Sequence, residues 1–251
     1  QPQKSHLLVF GAQRELASFA TDPQRLIDAV NQSNGLSFIA HPIDPALPAF
    51  GEDDISWEDW QAHGFTGLEL WNGFSELKRA IRSRWDGLFY AFFPQFFPTG
   101  PIPETVRRWD DLLANRRGRI VALGGSDAHA LPMRMGPLRR TIFPYEFHFR
   151  AVNTHLLTDD CLCGDDFNAD KQIVLSALRQ GHAFIGYDLP APTRGFRFTA
   201  QGQNEIVSMG DEIRLGTGVT LQIRLPGKAE CRLLRDGQVI KHWPASREIY
   251  S

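Results

Sequence analysis

The sequence predicts an α/β fold, a parallel sheet flanked by helices, followed by a small antiparallel β domain. Three observations predict it. Short apolar runs alternate with amphipathic segments up to about residue 190, the order expected of a helix-covered parallel sheet. Polar residues directly follow the apolar runs, where such folds carry their functional groups. After Pro190, Pro192 and Gly195 no helical pattern is evident, and short alternating runs with Gly and Asp between them take over. Residues 1–190 are therefore assigned to the α/β domain and 195–251 to the β domain, with the linker near 190–195.

The elements follow in order. His6 to Phe10 is a strand closed by Gly11. Asp22 is placed as N-cap and Pro23 as first residue of a helix whose apolar face is Leu26, Ile27 and Val30, with Gly35 ending it. Leu36 to Ala40 suits a strand buried on both faces. The proline-rich, acidic stretch from Asp44 to Asp54 reads as a loop, and Trp57 to His63 as a short helix. Thr66 to Trp71 is a strand. Ser75 is placed to cap a helix with Leu77, Ile81 and Trp85 on one side and Lys78, Arg79, Arg82 and Arg84 around it. Phe89 to Pro98 is an aromatic loop, open to readings as a buried loop, a pocket wall or an interface patch. Glu104 to Arg117 is a helix with Val106, Trp109, Leu112 and Leu113 inward, and Ile120 to Leu123 is a buried strand. Ala151 to Leu157 and Ala183 to Gly186 are strands around a helix capped by Asp170 and stopped by Gly181. Phe196 to Thr199, Val219 to Leu225 and Cys231 to Leu234 alternate, and Asp236-Gly237-Gln238 signals a turn.

Composition narrows the function. Lys plus Arg number 27 against 29 Asp plus Glu, a net charge of −2 that argues against a general nucleic-acid binder. No apolar run reaches the ~20 residues of a bilayer span, so no membrane partner is expected. The N-terminal apolar run is too short for a signal peptide, and a cytoplasmic protein is expected. Cys161, Cys163 and Cys231 lack framework spacing, and free or buried thiols are the simpler reading. No GxSxG elbow, P-loop or GxGxxG is present, which removes the main supports for a serine hydrolase or a nucleotide binder.

The candidate chemistry lies just after the strands. Asp127 and His129 are two apart, so in an extended segment they project to the same side and can reach one metal ion. His41 closes the Leu36 to Ala40 run and precedes Pro42. His6 opens the first strand. Glu69, inside an apolar run, must pair or face a polar pocket, and Asn72 could orient a ligand or cap a turn. Each has a plainer reading as a core or surface residue, and their shared placement at strand ends favours the functional one. Arg134, Arg139 and Arg140, soon after His129, are placed to meet an anionic substrate. His155 is read as structural or lining the site, His182 as interacting with a helix end, and His63, His148 and His242 as surface or packing residues.

The stretches HLLVFG, GLSFIAHP, GFTGLELWNG and GGSDAHA, in this order, resemble the PHP (polymerase and histidinol phosphatase) superfamily. FRAVNTHLL, ALRQGHAFIGYD and GFRFTA extend the resemblance towards its carbaryl-hydrolase-like branch, which carries a β domain after the catalytic barrel. The resemblance implies a distorted seven-stranded β/α barrel with up to three divalent ions, Zn, Mn or Fe. It implies that His6, His41, Asp127 and His129 are metal ligands, with Asp127 and His129 also assigned as catalytic; Glu69 and Asn72 match a strand end near the site and, with Arg134, are read as substrate-binding. The His-X-His motif with which the family opens has no counterpart before His6, so the resemblance implies a barrel incomplete at its N-terminus. The implied activity is hydrolysis of a small-molecule ester, a phosphoester first and a carbamate or carboxyl ester second. A non-catalytic PHP-like structural or binding module is the alternative from another class.

Overall fold

The computed structural model describes residues 4–96, 100–115 and 118–250. It is a mixed α/β structure with one largely parallel sheet and separate antiparallel sheets, and none of these sheets closes into a barrel. The main sheet has the order β1 (Leu7–Phe10), β2 (Leu36–Ile39), β3 (Gly67–Asn72), β4 (Val121–Gly125). β2, β3 and β4 are parallel, whereas β1 pairs with β2 antiparallel, with Leu7 opposite Ile39. The all-parallel expectation thus fails at the first strand.

Helices cover both faces. α1 (Pro23–Gln32) and α4 (Pro103–Ala114) bring Ile27 and Leu112 to one face, against Ile39, Leu68, Phe65 and Trp57. α6 (Phe167–Gln180) brings Leu178 to the other face, against Leu36, Phe38, Val121 and Leu123. Leu36, Phe38, Ile39 and Leu68 are fully buried, each stabilising the fold by about 2 kcal/mol. This explains why β2 reads as one unbroken apolar run.

α1 starts as its sequence predicts: Asp22 accepts the Arg25 N–H and Pro23 takes the first turn. The helix expected from Ser75 through Trp85 is instead two. α2 (Gly73–Ala80) is capped by Asn72, whose Oδ1 accepts the Ser75 N–H at 2.8 Å. Ser83 and Asp86 then form a capping box that starts α3 (Arg84–Phe92) as a separate helix. Trp85 is consequently 79 % exposed rather than aligned with Leu77.

Other local expectations shift too. Residues 57–63 form no helix, only a turn at 60–61. Leu113 faces solvent, and Asp166, not Asp170, caps α6. Asp170 instead accepts the Cys163 and Gly164 N–H groups at 2.9 and 2.8 Å, tying down the loop that carries two of the three free cysteines. Much of the expected aromatic loop is helical, continuing into a 3-10 turn at Pro94–Phe96. Phe97 and Pro98 of that stretch, and Arg117 of the expected fourth helix, lie outside the described residues.

β5 (Leu131–Met135) and β6 (Leu138–Ile142) make a hairpin around Gly136-Pro137, and α5 (Tyr145–Phe149) follows. β7 (Val152–Leu156) and β8 (Ala183–Tyr187) pair antiparallel beside β4. The Thr154 hydroxyl joins them to β4, accepting the Gly124 N–H and donating to the Gly124 carbonyl, both at 2.8 Å. The last sheet has the order β10 (Ile206–Ser208), β9 (Arg197–Gln201), β11 (Thr220–Arg235), β12 (Gln238–Tyr250). Two runs expected as separate strands are one long β11. It turns into β12 at Asp236 and Gly237, both left-handed, as an Asp-Gly hairpin turn requires.

Gly67 sets the closeness of β3 and β4. A Cβ there would overlap the backbone of Val121, its partner on β4. Gly67→Ala is therefore expected to lower unfolding free energy by about 3 kcal/mol through forced separation of two central strands. Urea denaturation reads this directly, and a cost below about 0.5 kcal/mol would show that the strands part without strain.

Candidate functional site

Four of the singled-out positions meet at one end of the main sheet because of its topology. His41 follows β2, Asn72 ends β3 and Asp127 follows β4, so parallel pairing puts all three at the same end. The antiparallel β1 then brings its beginning, not its end, to that place. His6 lies beside His41, and Ala40 donates its N–H to the His6 carbonyl at 3.1 Å. His6 Nδ1 and His41 Nε2 are 2.9 Å apart, and the rings meet edge to face.

A continuous chain of polar contacts runs on from this pair. The His41 backbone N–H donates to Glu69 Oε2 at 2.9 Å. Asn72 Nδ2 donates to the same oxygen at 2.9 Å and to Asp127 Oδ2 at 3.3 Å. Asp127 Oδ1 lies 3.3 Å from His129 Nε2. His41 is 6 % exposed, whereas the His129 ring is open to solvent and leans on Phe74 with ring centroids 4.7 Å apart. Both His41 and Asp127 adopt left-handed backbone, with φ of 27° and 48°. Such conformations cost non-glycine residues about 1–3 kcal/mol and cluster where a side chain must be aimed.

Electrostatics follow from burial. Burial lowers the His41 pKa, helped by His6 and opposed by Asp44 and Asp127, which keeps the ring neutral and able to bind. Burial pushes Glu69 up to about 7, against the two hydrogen bonds it accepts. Beneath His41 lies Asp44, buried, whose Oδ2 is 3.9 Å from His41 Nδ1 and accepts the Ser75 hydroxyl at 2.7 Å. The Lys78 ammonium bonds Asp44 Oδ1 and lies 3.3 Å from Glu52.

Glu69 and Asn72 are thus tied up within the protein: they hold His41 and Asp127 in place. Arg134 sits on β5, and its Nε reaches only to 3.5 Å from the Gly136 carbonyl in its own hairpin. His148, expected at the surface or in packing, is 1 % exposed, and the fields of His129 and Asp127 reach it. Burial and His129 lower its pKa, and its Nδ1 has no hydrogen-bond partner. Its carbonyl accepts the Ser126 hydroxyl, linking α5 to the end of β4. Nothing in the local sequence marks it. The His155 ring stacks on Phe184 and bonds Asp188 at 2.9 Å. Asp188 is held at about 2, against burial, by Thr193, Asn153 and His155. His182 pairs with Asp211 at 2.8 Å.

Imidazole nitrogens and a carboxylate are the donors that Zn, Mn and Fe take, and the buried His41 Nδ1 has no hydrogen-bond partner, the Asp44 carboxylate standing 3.9 Å away. The set therefore fits a divalent ion in kind. Its spacing is that of hydrogen bonds: two imidazole nitrogens on one tetrahedral zinc stand about 3.3 Å apart, wider than the His6–His41 pair. Among the described residues no group of three His, Cys, Asp or Glu side chains is already placed around one ion. No protein-family model, no curated protein and no solved structure matches this chain.

Proposed function

We propose that this protein is a metal-dependent hydrolase of small-molecule esters, with phosphoesters as the first substrate class. The observation that carries the reading is the unbroken chain of contacts from His6 through His41, Glu69 and Asn72 to Asp127 and His129. His6, His41, Asp127 and His129 are the residues that would hold the ions. A divalent ion there would act as a Lewis acid towards an ester oxygen and activate water for attack near neutral pH.

The chain's own residues divide the remaining work. Asn72 aims Asp127 while its Oδ1 is anchored to α2. Glu69 holds the His41 backbone in its strained conformation. Asp44 stands behind His41, 3.9 Å from its Nδ1, and its charge partly offsets the lowering of the ring's pKa by burial. His129, facing solvent, stands beside Asp127 at the open side of the site. Arg134 and Arg139, across from each other on the β5–β6 hairpin, supply positive charge for an anionic leaving group.

Elemental mass spectrometry of the purified chain tests this reading. Near-stoichiometric Zn, Mn or Fe is expected, lost in His41→Ala and Asp127→Ala. Asn72→Ala, which frees Asp127 without removing a ligand, is expected to weaken metal affinity by about 10- to 100-fold. Hydrolysis of aryl phosphates should exceed that of aryl carbamates, and Asp127→Ala should lower it by at least about 100-fold. Faster carbamate cleavage would move the substrate class. No metal uptake and no hydrolysis with any of the three ions would leave a structural or binding module.

A further inference from the structure

α3 turns its aromatic side outward. Ala91 is buried, and Tyr90 packs beside Leu77 and Phe143. Trp85, Phe89 and Phe92, at the i, i+4, i+7 spacing of one helical face, are exposed, and Phe93 and Phe96 continue the stripe. Phe89 lies 5.2 Å from Phe93 and 5.6 Å from Phe96 between ring centroids, so these three rings form one contiguous surface. Exposed Phe50 extends it, its ring lying over Gly87. An ordinary surface helix faces solvent with its polar side. A contiguous exposed apolar patch of this kind marks an interaction surface.

The rim of the patch is cationic. Exposed Arg82 and Arg84 stand at the start of α3, and the Arg140 guanidinium lies 4.9 Å from the centre of the Phe92 ring. The acidic group within α3, Asp86, is occupied by the Arg82 and Ser83 N–H groups. Beyond Phe50 the exposed Asp53 and Asp54 are acidic, so the cationic rim lies at the start of α3 and on the Arg140 side.

We propose that this aromatic stripe and its arginine rim form a peripheral docking surface for an anionic lipid bilayer. The rings enter the boundary between headgroups and acyl chains, and the arginines meet lipid phosphates. Among the described residues no helix is long and apolar enough to cross a membrane, so the contact is one of lying on the surface. The sequence expectation of no membrane partner was drawn from the lack of a spanning run, which a surface contact does not need. A second copy of the chain is the poorer occupant, because a two-fold contact would set one arginine rim against the other.

Vesicle co-sedimentation of the full chain tests the proposal. The chain is expected to bind phosphatidylcholine vesicles containing about one third phosphatidylglycerol, and to bind pure phosphatidylcholine about tenfold more weakly. Added salt should weaken binding to the mixed vesicles. Trp85→Ser/Phe96→Ser and Arg84→Glu/Arg140→Glu should each weaken it about tenfold with unchanged circular dichroism. Binding to neither vesicle, or equal binding by parent and both double variants, would overturn the proposal. A concentration-dependent dimer in sedimentation velocity, abolished by Trp85→Ser/Phe96→Ser, would also overturn it and assign the patch to a second copy.

Discussion

Lys78→Met is expected to lower the unfolding free energy by about 3–5 kcal/mol. Lys78 is 4 % exposed and its ammonium bonds Asp44, which is 1 % exposed. Removing Lys78 leaves Asp44 an uncompensated charge in a dry place, whereas Lys78 also has Glu52 at 3.3 Å. The Ser75 hydroxyl satisfies one Asp44 oxygen and cannot neutralise it. Urea denaturation measures the loss. The double variant Asp44→Asn/Lys78→Met should recover most of it, since no buried charge is then left unpaired. A loss below about 1 kcal/mol in the single variant would mean that water reaches Asp44. The effect should spread to the site, because Asp44 stands behind His41.

The second large effect is a dependence of stability on pH, carried by Glu69. Its folded pKa of about 7 exceeds the ordinary 4.5 because burial disfavours the carboxylate, with Asp127 and Asp44 adding repulsion. The native state therefore holds a proton that the unfolded chain releases between these values. The stabilising contribution is complete below about pH 4.5 and is lost as the pH rises through about 7, a change of roughly 3 kcal/mol. Glu76, also raised to about 7 by burial, acts in the same direction. In chelator-treated buffer, Glu69→Gln should match the parent near pH 4 and exceed it by about 3 kcal/mol near pH 8. The amide oxygen can still accept the His41 and Asn72 hydrogen bonds. A parent whose stability is flat between about pH 5 and 8 would sink this account of Glu69.

Much of the local structure is legible in the residues. Asp22-Pro23 marks a helix start, Gly181 a helix stop and Asp236-Gly237 a hairpin, because each is a backbone requirement met by neighbours in sequence. What misleads is competition between equally good local signals. Ser75 and Asn72 both suit a cap, and Asn72 takes it because strand β3 delivers its side chain to the free N–H groups. The Leu77, Ile81 and Trp85 spacing suits one helix, yet the Ser83–Asp86 capping box breaks it. The β5–β6 hairpin hides behind its arginines, and only Gly136-Pro137 hints at it.

The candidate site divides in the same way. Placement of His41, Asn72 and Asp127 just after apolar strands is visible in the order of residues, since a parallel sheet puts the ends of its strands at one edge. The roles of Glu69 and Asn72 are not. They read as substrate-binding groups, and that they also bond the His41 backbone and Asp127 is revealed only by the hydrogen-bond partners. His148 goes unseen because a lone histidine between phenylalanines says nothing about what lies across from it.

Residue order by itself determines that this chain builds a helix-covered sheet and gathers polar groups where three of its strands end, because burial of short apolar runs and the exits of parallel strands are local consequences of pattern. The tertiary structure decides whether His6 joins them. In a parallel β1 it would sit at the opposite edge, about 13 Å away along four residues of strand. The antiparallel pairing of Leu7 with Ile39 sets it against His41. Strand direction depends on which neighbour a strand pairs with, a long-range choice that alternation in a four-residue run cannot encode.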